Sequence, residues 1–200
     1  MWTRAQNTAV LVALALVAGA PGVRAEGQAM VMHDFEKDLE EWSLPDWEMT
    51  DQYYAAKDAA QSTDVASSGT GSAKVMVDFP GGRWVGAYLE KLVYVTDWGQ
   101  FGSISVDVYV PADCPPGMKA KIILTVGEKW TWTEMNRSIA LAPGKWTTIT
   151  ANLKAGSQDW KFFPDDAFRK DVRKLGVRIE SDKEPVYIGP VYIDNVRLLE

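Results

Sequence analysis

Residues 103–110 (SISVDVYV) alternate without a break, with Ile104, Val106, Val108 and Val110 on one side and Ser105, Asp107 and Tyr109 on the other. That period of two marks a strand with one buried face. Residues 74–79 (KVMVDF) repeat it and stop at Pro80-Gly81-Gly82. Residues 83–91 (RWVGAYLEK) follow, with Val85, Ala87 and Leu89 opposing Trp84, Gly86, Tyr88 and Glu90. Further strands are expected over residues 118–126, 138–142, 146–153, 175–180 and 186–199, with a bulge at Gly127 and a turn at Pro143-Gly144. About nine or ten strands separated by turns predict an all-β chain, an antiparallel β-sandwich of the jelly-roll kind. The only helical expectation is one short turn within residues 165–174. With no internal repeat and no low-complexity linker, residues 26–200 read as one domain.

The N-terminus follows a different rule. Arg4 precedes the uncharged apolar run of residues 9–18 (AVLVALALVA), then Gly19-Ala20-Pro21-Gly22, and Val23-Arg24-Ala25 ends on a small residue. This is the layout of a cleaved secretory signal over residues 1–25. The alternative is a membrane anchor, for which the run is short. The expected location is secreted or periplasmic, with no membrane attachment after cleavage.

Composition narrows the partners. A chain 46% hydrophobic and 24% charged is not disordered. The formal net charge is −6; without Arg4 and Arg24, 19 basic residues face 27 acidic ones, a net of −8. Such a surface repels nucleic acid and anionic membrane, whereas a neutral polysaccharide meets no such barrier. Cys114 is the only cysteine, so no intramolecular disulfide forms. It sits in a Pro-rich turn and reads either as a reactive thiol or as an incidental loop residue.

Eight tryptophans remain after the signal segment: Trp42, Trp47, Trp84, Trp98, Trp130, Trp132, Trp146 and Trp160. A sandwich core needs one or two, and each indole N–H wants a partner when buried. Several should therefore be partly open. Open indoles suit sugars: a pyranose has an apolar C–H face for the ring and a rim of hydroxyls for polar side chains. Trp130 and Trp132 are two apart and share a side if their segment is extended; alternatively, both plug the end of the core. The apolar set Leu175, Val177 and Ile179 forces Gly176, Arg178 and Glu180 to the opposite side. One face carrying Trp84, Tyr88, Asp107, Tyr109, Trp130, Trp132, Arg178 and Glu180 is the candidate carbohydrate site. The competing reading is a solvated outer face with weak ion pairs.

Other chemistry is thin. His33 is the only histidine, which argues against most zinc sites and against a Ser-His-Asp device. Two carboxylates suffice for a glycosidase, and Glu90, Asp107, Glu134 and Glu180 are available. Acidic stretches at Asp34-Phe35-Glu36 and Asp194 could supply hard oxygens to a cation if the first and last strands pair.

Taken in order, DFE (34–36), SGTGSAKVMV (68–77), ISVDVYVP (104–111), GEKWTW (127–132), LAPGKWTTITANL (141–153), LGVRIE (175–180) and VYIDNVRLLE (191–200) resemble a family. It is that of carbohydrate-binding modules with the galactose-binding-like β-sandwich, close to those attached to bacterial β-mannanases and endoglucanases. The resemblance implies non-catalytic binding of a β-linked mannan or glucan, in polysaccharide or oligosaccharide form, by a monomer. It implies aromatic binding residues at Trp84, Trp130 and Trp132. It also implies a structural Ca2+ held by Glu36, by the carbonyl of Ser72 or Lys74, and by Asp194. An envelope protein that binds other proteins, or a small glycosidase, remains the alternative.

Overall fold

The computed structural model describes residues 29–162 and 164–200. The signal segment expected over residues 1–25 lies outside the described residues. The strands are β1 (Ala29–His33), β2 (Ala56–Ser62), β3 (Ser72–Phe79), β4 (Val85–Leu92), β5 (Ser103–Val110) and β6 (Lys119–Val126). They continue with β7 (Thr131–Glu134), β8 (Ile139–Ala140), β9 (Lys145–Asn152), β10 (Val172–Ser181) and β11 (Tyr187–Leu199). One helix, α1 (Asp166–Lys170), precedes β10, and the Asp165 carboxylate caps it by accepting from Phe168 N at 2.7 Å.

The strands form two antiparallel sheets. One runs β2-β3-β11-β5-β9, with β1 laid along the end of β11. The other runs β4-β10-β6-β7, with β8 beside β6. The inner faces meet through the apolar half of each alternating pattern: Val75, Val77, Val106, Val108, Ile149 and Ile193 from the first sheet, Val85, Leu89, Ile122, Leu124, Val177 and Ile179 from the second. Trp42, Trp98 and Trp160 are fully buried at the margins of this core. Trp98 Nε1 donates to Val95 O at 2.7 Å and Trp160 Nε1 to Asn152 O at 2.8 Å, so both indoles are satisfied. The core takes three tryptophans rather than one or two.

The expected strands form, and the first and last strands pair, as Ala29 opposes Leu199. Three strands lacked a sequence signal. β2 (AKDAAQS) is a polar edge strand with little to bury. β1 and β7 are too short to show a period. Gly127 does not bulge a strand: with φ +71° it opens a turn closed by Trp130 N donating to Gly127 O at 2.9 Å. Cys114 is buried, and that burial together with Asp113 pushes its thiol pKa up to about 11, which removes the reactive reading.

The segment between β1 and β2 extends the second sheet. Ser43 and Glu90 exchange backbone hydrogen bonds of 2.9 and 3.0 Å; Ala55 N donates to Gly86 O at 2.7 Å and Gly86 N to Tyr53 O at 2.9 Å. The backbone of residues 43–55 thus runs along the free edge of β4. Glu48 fastens its middle: Oε1 accepts from Tyr88 N at 2.8 Å, while Oε2 has no hydrogen-bond partner. Burial, helped by the nearby charge of Glu90, outweighs the hydrogen bonds from the Tyr88 and Ala56 backbone and raises the Glu48 pKa from 4.5 to about 7.

That shift fixes a pH dependence. Below pH 4.5, Glu48 is protonated in both folded and unfolded chains. Between that value and about 7 the folded protein keeps a proton that the unfolded chain has released, so stability falls as pH rises, and above about 7 the effect levels off. Glu48→Gln should remove this component. Urea unfolding at several pH values should show wild type losing roughly 2–3 kcal/mol relative to the variant across that window. A difference that does not change with pH would show that Glu48 is not held protonated.

Candidate functional site

Four strands of the second sheet turn their non-core side chains outward together. The register sets Arg178 of β10 between Tyr88 of β4 and Lys121 of β6. Gly176 lies between Glu90 and Ile123, Ile123 opposes Glu134 of β7, and Thr125 opposes Trp132. An outer face so ordered carries aromatic rings and ion pairs in separate bands.

The aromatic band crosses the strands. Trp132 meets Tyr88 at a ring-centroid distance of 5.4 Å, and Tyr88 lies under Trp47 at 5.8 Å with the planes 28° apart. Trp47 meets Tyr54 edge-on at 4.7 Å, and Tyr54 meets Trp84 edge-on at 6.1 Å. Two glycines make the band possible. A Cβ on Gly176 would fall 2.2 Å from the Tyr88 hydroxyl and ring edge, and one on Gly86 would press on Arg178 and on the far edge of the Trp84 indole. Tyr88 can therefore lie flat across β10, and Trp84 can fold back over β4. Of these rings, Trp47 and Trp132 are 40% and 39% exposed, Trp84 and Tyr54 are half-buried, and Tyr88 is buried beneath the others.

The ionic band occupies the middle of the sheet. Arg178 Nη2 meets Glu134 Oε2 at 2.8 Å, and its Nε donates to Glu180 Oε2 at 2.9 Å. Its guanidinium also covers the Trp84 ring at 5.3 Å. Lys121 Nζ lies 3.6 Å from Glu134 and 4.0 Å from Glu180. Lys161 pairs with Glu134, and Ser138 donates to Glu180. Burial works against the charge on Glu134, but Lys161, Arg178 and Lys121 outweigh it and hold its carboxyl below the ordinary range. Lys174 Nζ reaches Glu90 Oε1 at 2.6 Å farther along β10. The combination offers apolar ring faces beside fixed donors and acceptors.

Six of the eight expected binding residues stand in this sheet or next to its strands: Tyr88, Trp132, Arg178 and Glu180 within them, Trp84 just before β4 and Trp130 in the turn before β7. Asp107 and Tyr109 do not join them. They belong to β5, in the other sheet, and point away from the core on the opposite side of the molecule. Asp107 is buried in polar contacts, accepting from Ser67 Oγ at 2.5 Å, Thr148 Oγ1 at 2.6 Å and Asn195 Nδ2 at 2.9 Å. Tyr109 packs between Trp146 at 5.4 Å and Tyr192 at 5.9 Å. Nor do Trp130 and Trp132 act as a pair. Trp130 has φ +54° at the end of a turn, so the extended spacing does not hold, and its ring meets the Arg173 guanidinium at 5.5 Å rather than Tyr88. Tyr88 is a support, not an open contact. Trp47 and Tyr54 were not anticipated as site residues, because they stand on a non-periodic segment.

Glu36, Ser72 and Asp194, expected at a calcium site, gather around the 67–71 loop. Glu36 Oε1 accepts from Thr70 N at 2.8 Å and Gly71 N at 3.0 Å, and Oε2 from Thr70 Oγ1 at 2.8 Å. These donors lower its pKa. Asp194 accepts from Ser67 N at 2.7 Å, Ser68 N at 3.0 Å and Asn195 N at 2.6 Å. Ser72 Oγ donates to Val65 O, and Lys74 lies in β3 with neighbouring strands on both sides. Both carboxylates accept hydrogen bonds from backbone amides of the 67–71 loop. Among the described residues no cluster of three or more Asp, Glu, His or Cys side chains is placed to hold a metal.

No curated protein sequence matches the chain. Among solved structures it is similar to a module of Caldicellulosiruptor saccharolyticus, CBM27-1 in complex with mannohexaose (21% identity, TM-score 0.60, 86% of this chain and 97% of that one). It is also similar to a non-crystalline cellulose-specific module, CBM28 (16% identity, TM-score 0.61, 90% and 100%). A family 11 carbohydrate-binding module of a Clostridium thermocellum cellulase shares the fold too (15% identity, TM-score 0.52, 88% and 96%). Residues 33–195, the whole sandwich apart from its outermost ends, match the family described as mannanase, galactose-binding domain-like, and the chain belongs to that family.

Proposed function

We propose that this protein is a non-catalytic carbohydrate-binding module that holds a neutral β-linked glycan, of the mannan or glucan type, along the aromatic band of the second sheet. The carrying observation is that Trp47, Trp84 and Trp132 stand in one band, partly open, beside an ion-paired polar strip. The rings offer stacking surfaces, and Arg178, Glu180, Glu134 and Lys121 offer donors and acceptors to the hydroxyl rim. The mannohexaose complex of a module with the same fold supports a mannan-type chain. The reading includes export to the periplasm or medium, action as a monomer, and no nucleic-acid or membrane partner. It is in keeping with a net charge of −6 and with the described residues, in which no helix is long and apolar enough to cross a membrane.

Affinity electrophoresis in glucomannan and galactomannan gels tests the reading. Trp132→Ala and Trp47→Ala should each weaken retention by roughly fivefold to thirtyfold, because each ring contributes about 1–2 kcal/mol through stacking and the support it gives Tyr88. Trp130→Ala, off the band, should cost less than threefold. No reducing sugar should be released by any form. Unchanged migration of the first two variants would remove the aromatic band from the binding site.

Gly176→Ala tests the platform itself. The added methyl displaces the Tyr88 ring, so binding should fall at least as far as in the tryptophan variants while the ring faces remain chemically intact. Wild-type affinity in this variant would mean that Tyr88 does not set the band's geometry.

A further inference from the structure

At the Trp84–Tyr54 end, the aromatic band runs to the edge of the sandwich and meets a cleft of about 430 Å³. Its walls come from the 48–54 segment, from Ala56 and Lys57 of β2, from Asp78 of β3 and from Arg83 and Val85 beside and in β4. Tyr54 belongs to both: it touches Trp47 and Trp84 in the band and forms part of the cleft wall. Tyr54 thus joins the cleft to that end of the band.

Its chemistry is mixed. Arg83 is engaged, donating to Gln52 O at 2.8 Å and covering the Tyr53 ring at 5.7 Å. Asp51 accepts from Tyr53 N at 2.8 Å. Lys57 and Asp78 differ: among the described residues neither side chain forms a hydrogen bond or an ion pair, although one is a cation and the other an anion on the same cleft. A cleft that offers both a donor and an acceptor, with positive and negative groups in near balance, selects neither an anion nor a cation. It suits a neutral polyhydroxylated unit, whose hydroxyls both donate and accept.

We infer that this edge cleft is an extension of the glycan site, taking the next one or two sugar units of a chain that lies on the aromatic band, with Lys57 and Asp78 as its polar contacts. Because the cleft adjoins the end of the band, the occupant assigned to it is a continuation of the main chain, and a side branch is the outcome that the test separates from it. The inference rests on the glycan reading of the band.

Isothermal titration with linear β-1,4-mannotetraose and mannohexaose, on wild type and on Lys57→Gln and Asp78→Asn, tests it. Wild type should bind the hexaose at least fivefold more tightly than the tetraose. Both variants should keep the wild-type tetraose affinity and melting temperature and lose most of that gain. If the variants retain the full gain, or wild type shows none while the tetraose binds, the cleft is not an extension and the aromatic band stands. A gain that depends on Lys57 and Asp78 only for tetraoses carrying a galactosyl branch would make the occupant a branch and overturn the inference. If wild type binds neither oligosaccharide, the mannan form of the glycan reading and the extension fail together.

Discussion

The outer face of the second sheet depends on one guanidinium. Arg178 sits on β10, a strand with neighbours on both sides, and its side chain is only 8% exposed, as buried as the Glu134 and Glu180 carboxylates that flank it. Charges so placed cost several kcal/mol each in lost hydration unless they are paired. Arg178 satisfies both acids with separate nitrogens and spreads its own plane over Trp84. Replacing it would leave two acids facing each other across β10 and β6 with only lysines to compensate. The same residue therefore fixes the polar strip and the tilt of an indole, and a flat charged fork can do both where an ammonium could not.

Around that strip, the aromatic band is built by subtraction as much as by addition. Tyr88 lies flat because Gly176 has no side chain, and the indole of Trp84 folds back over Gly86 for the same reason. Strand glycines normally weaken a sheet, but here the rings occupy the volume they vacate. The cost is visible at Tyr88, whose hydroxyl is buried without a partner and whose pKa is driven well above its ordinary value by burial and by Glu90. At this position the placement of the ring takes precedence over the hydrogen bond of its phenol.

The strands were legible in the sequence because a period of two is a direct consequence of burying one face. Residues 103–110 and β5 coincide, and the core positions of β4 and β10 fall where alternation places them. Alternation, however, says only inward or outward; it does not say in which sheet. Asp107 and Arg178 carry the same signal, each opposite an apolar triplet, and end on opposite sides of the molecule. Trp47 and Tyr54 were illegible for another reason. Their segment follows no period, and its attachment to β4 is made by backbone groups and by Glu48, which no side-chain pattern reveals. The acidic ends around Glu36 and Asp194 both meet amides of the 67–71 loop, a matter of backbone direction that residue types do not encode.

The same electrostatics bear on the glycosidase alternative. Hydrolysis of a glycosidic bond needs one carboxyl that holds a proton to give to the leaving oxygen and a second that is ionised. Glu134 and Glu180 share the face on which a glycan would lie, but both are bound to Arg178, and Lys161 adds a third charge beside Glu134. Positive neighbours keep the proton off Glu134, the reverse of what a general acid requires. Glu48, whose pKa burial raises to about 7, has its free oxygen buried and its other oxygen committed to the Tyr88 amide. It borders the edge cleft, but with its oxygens so held it fastens the segment that carries Trp47 and is not set beside a second, ionised carboxylate across a sugar.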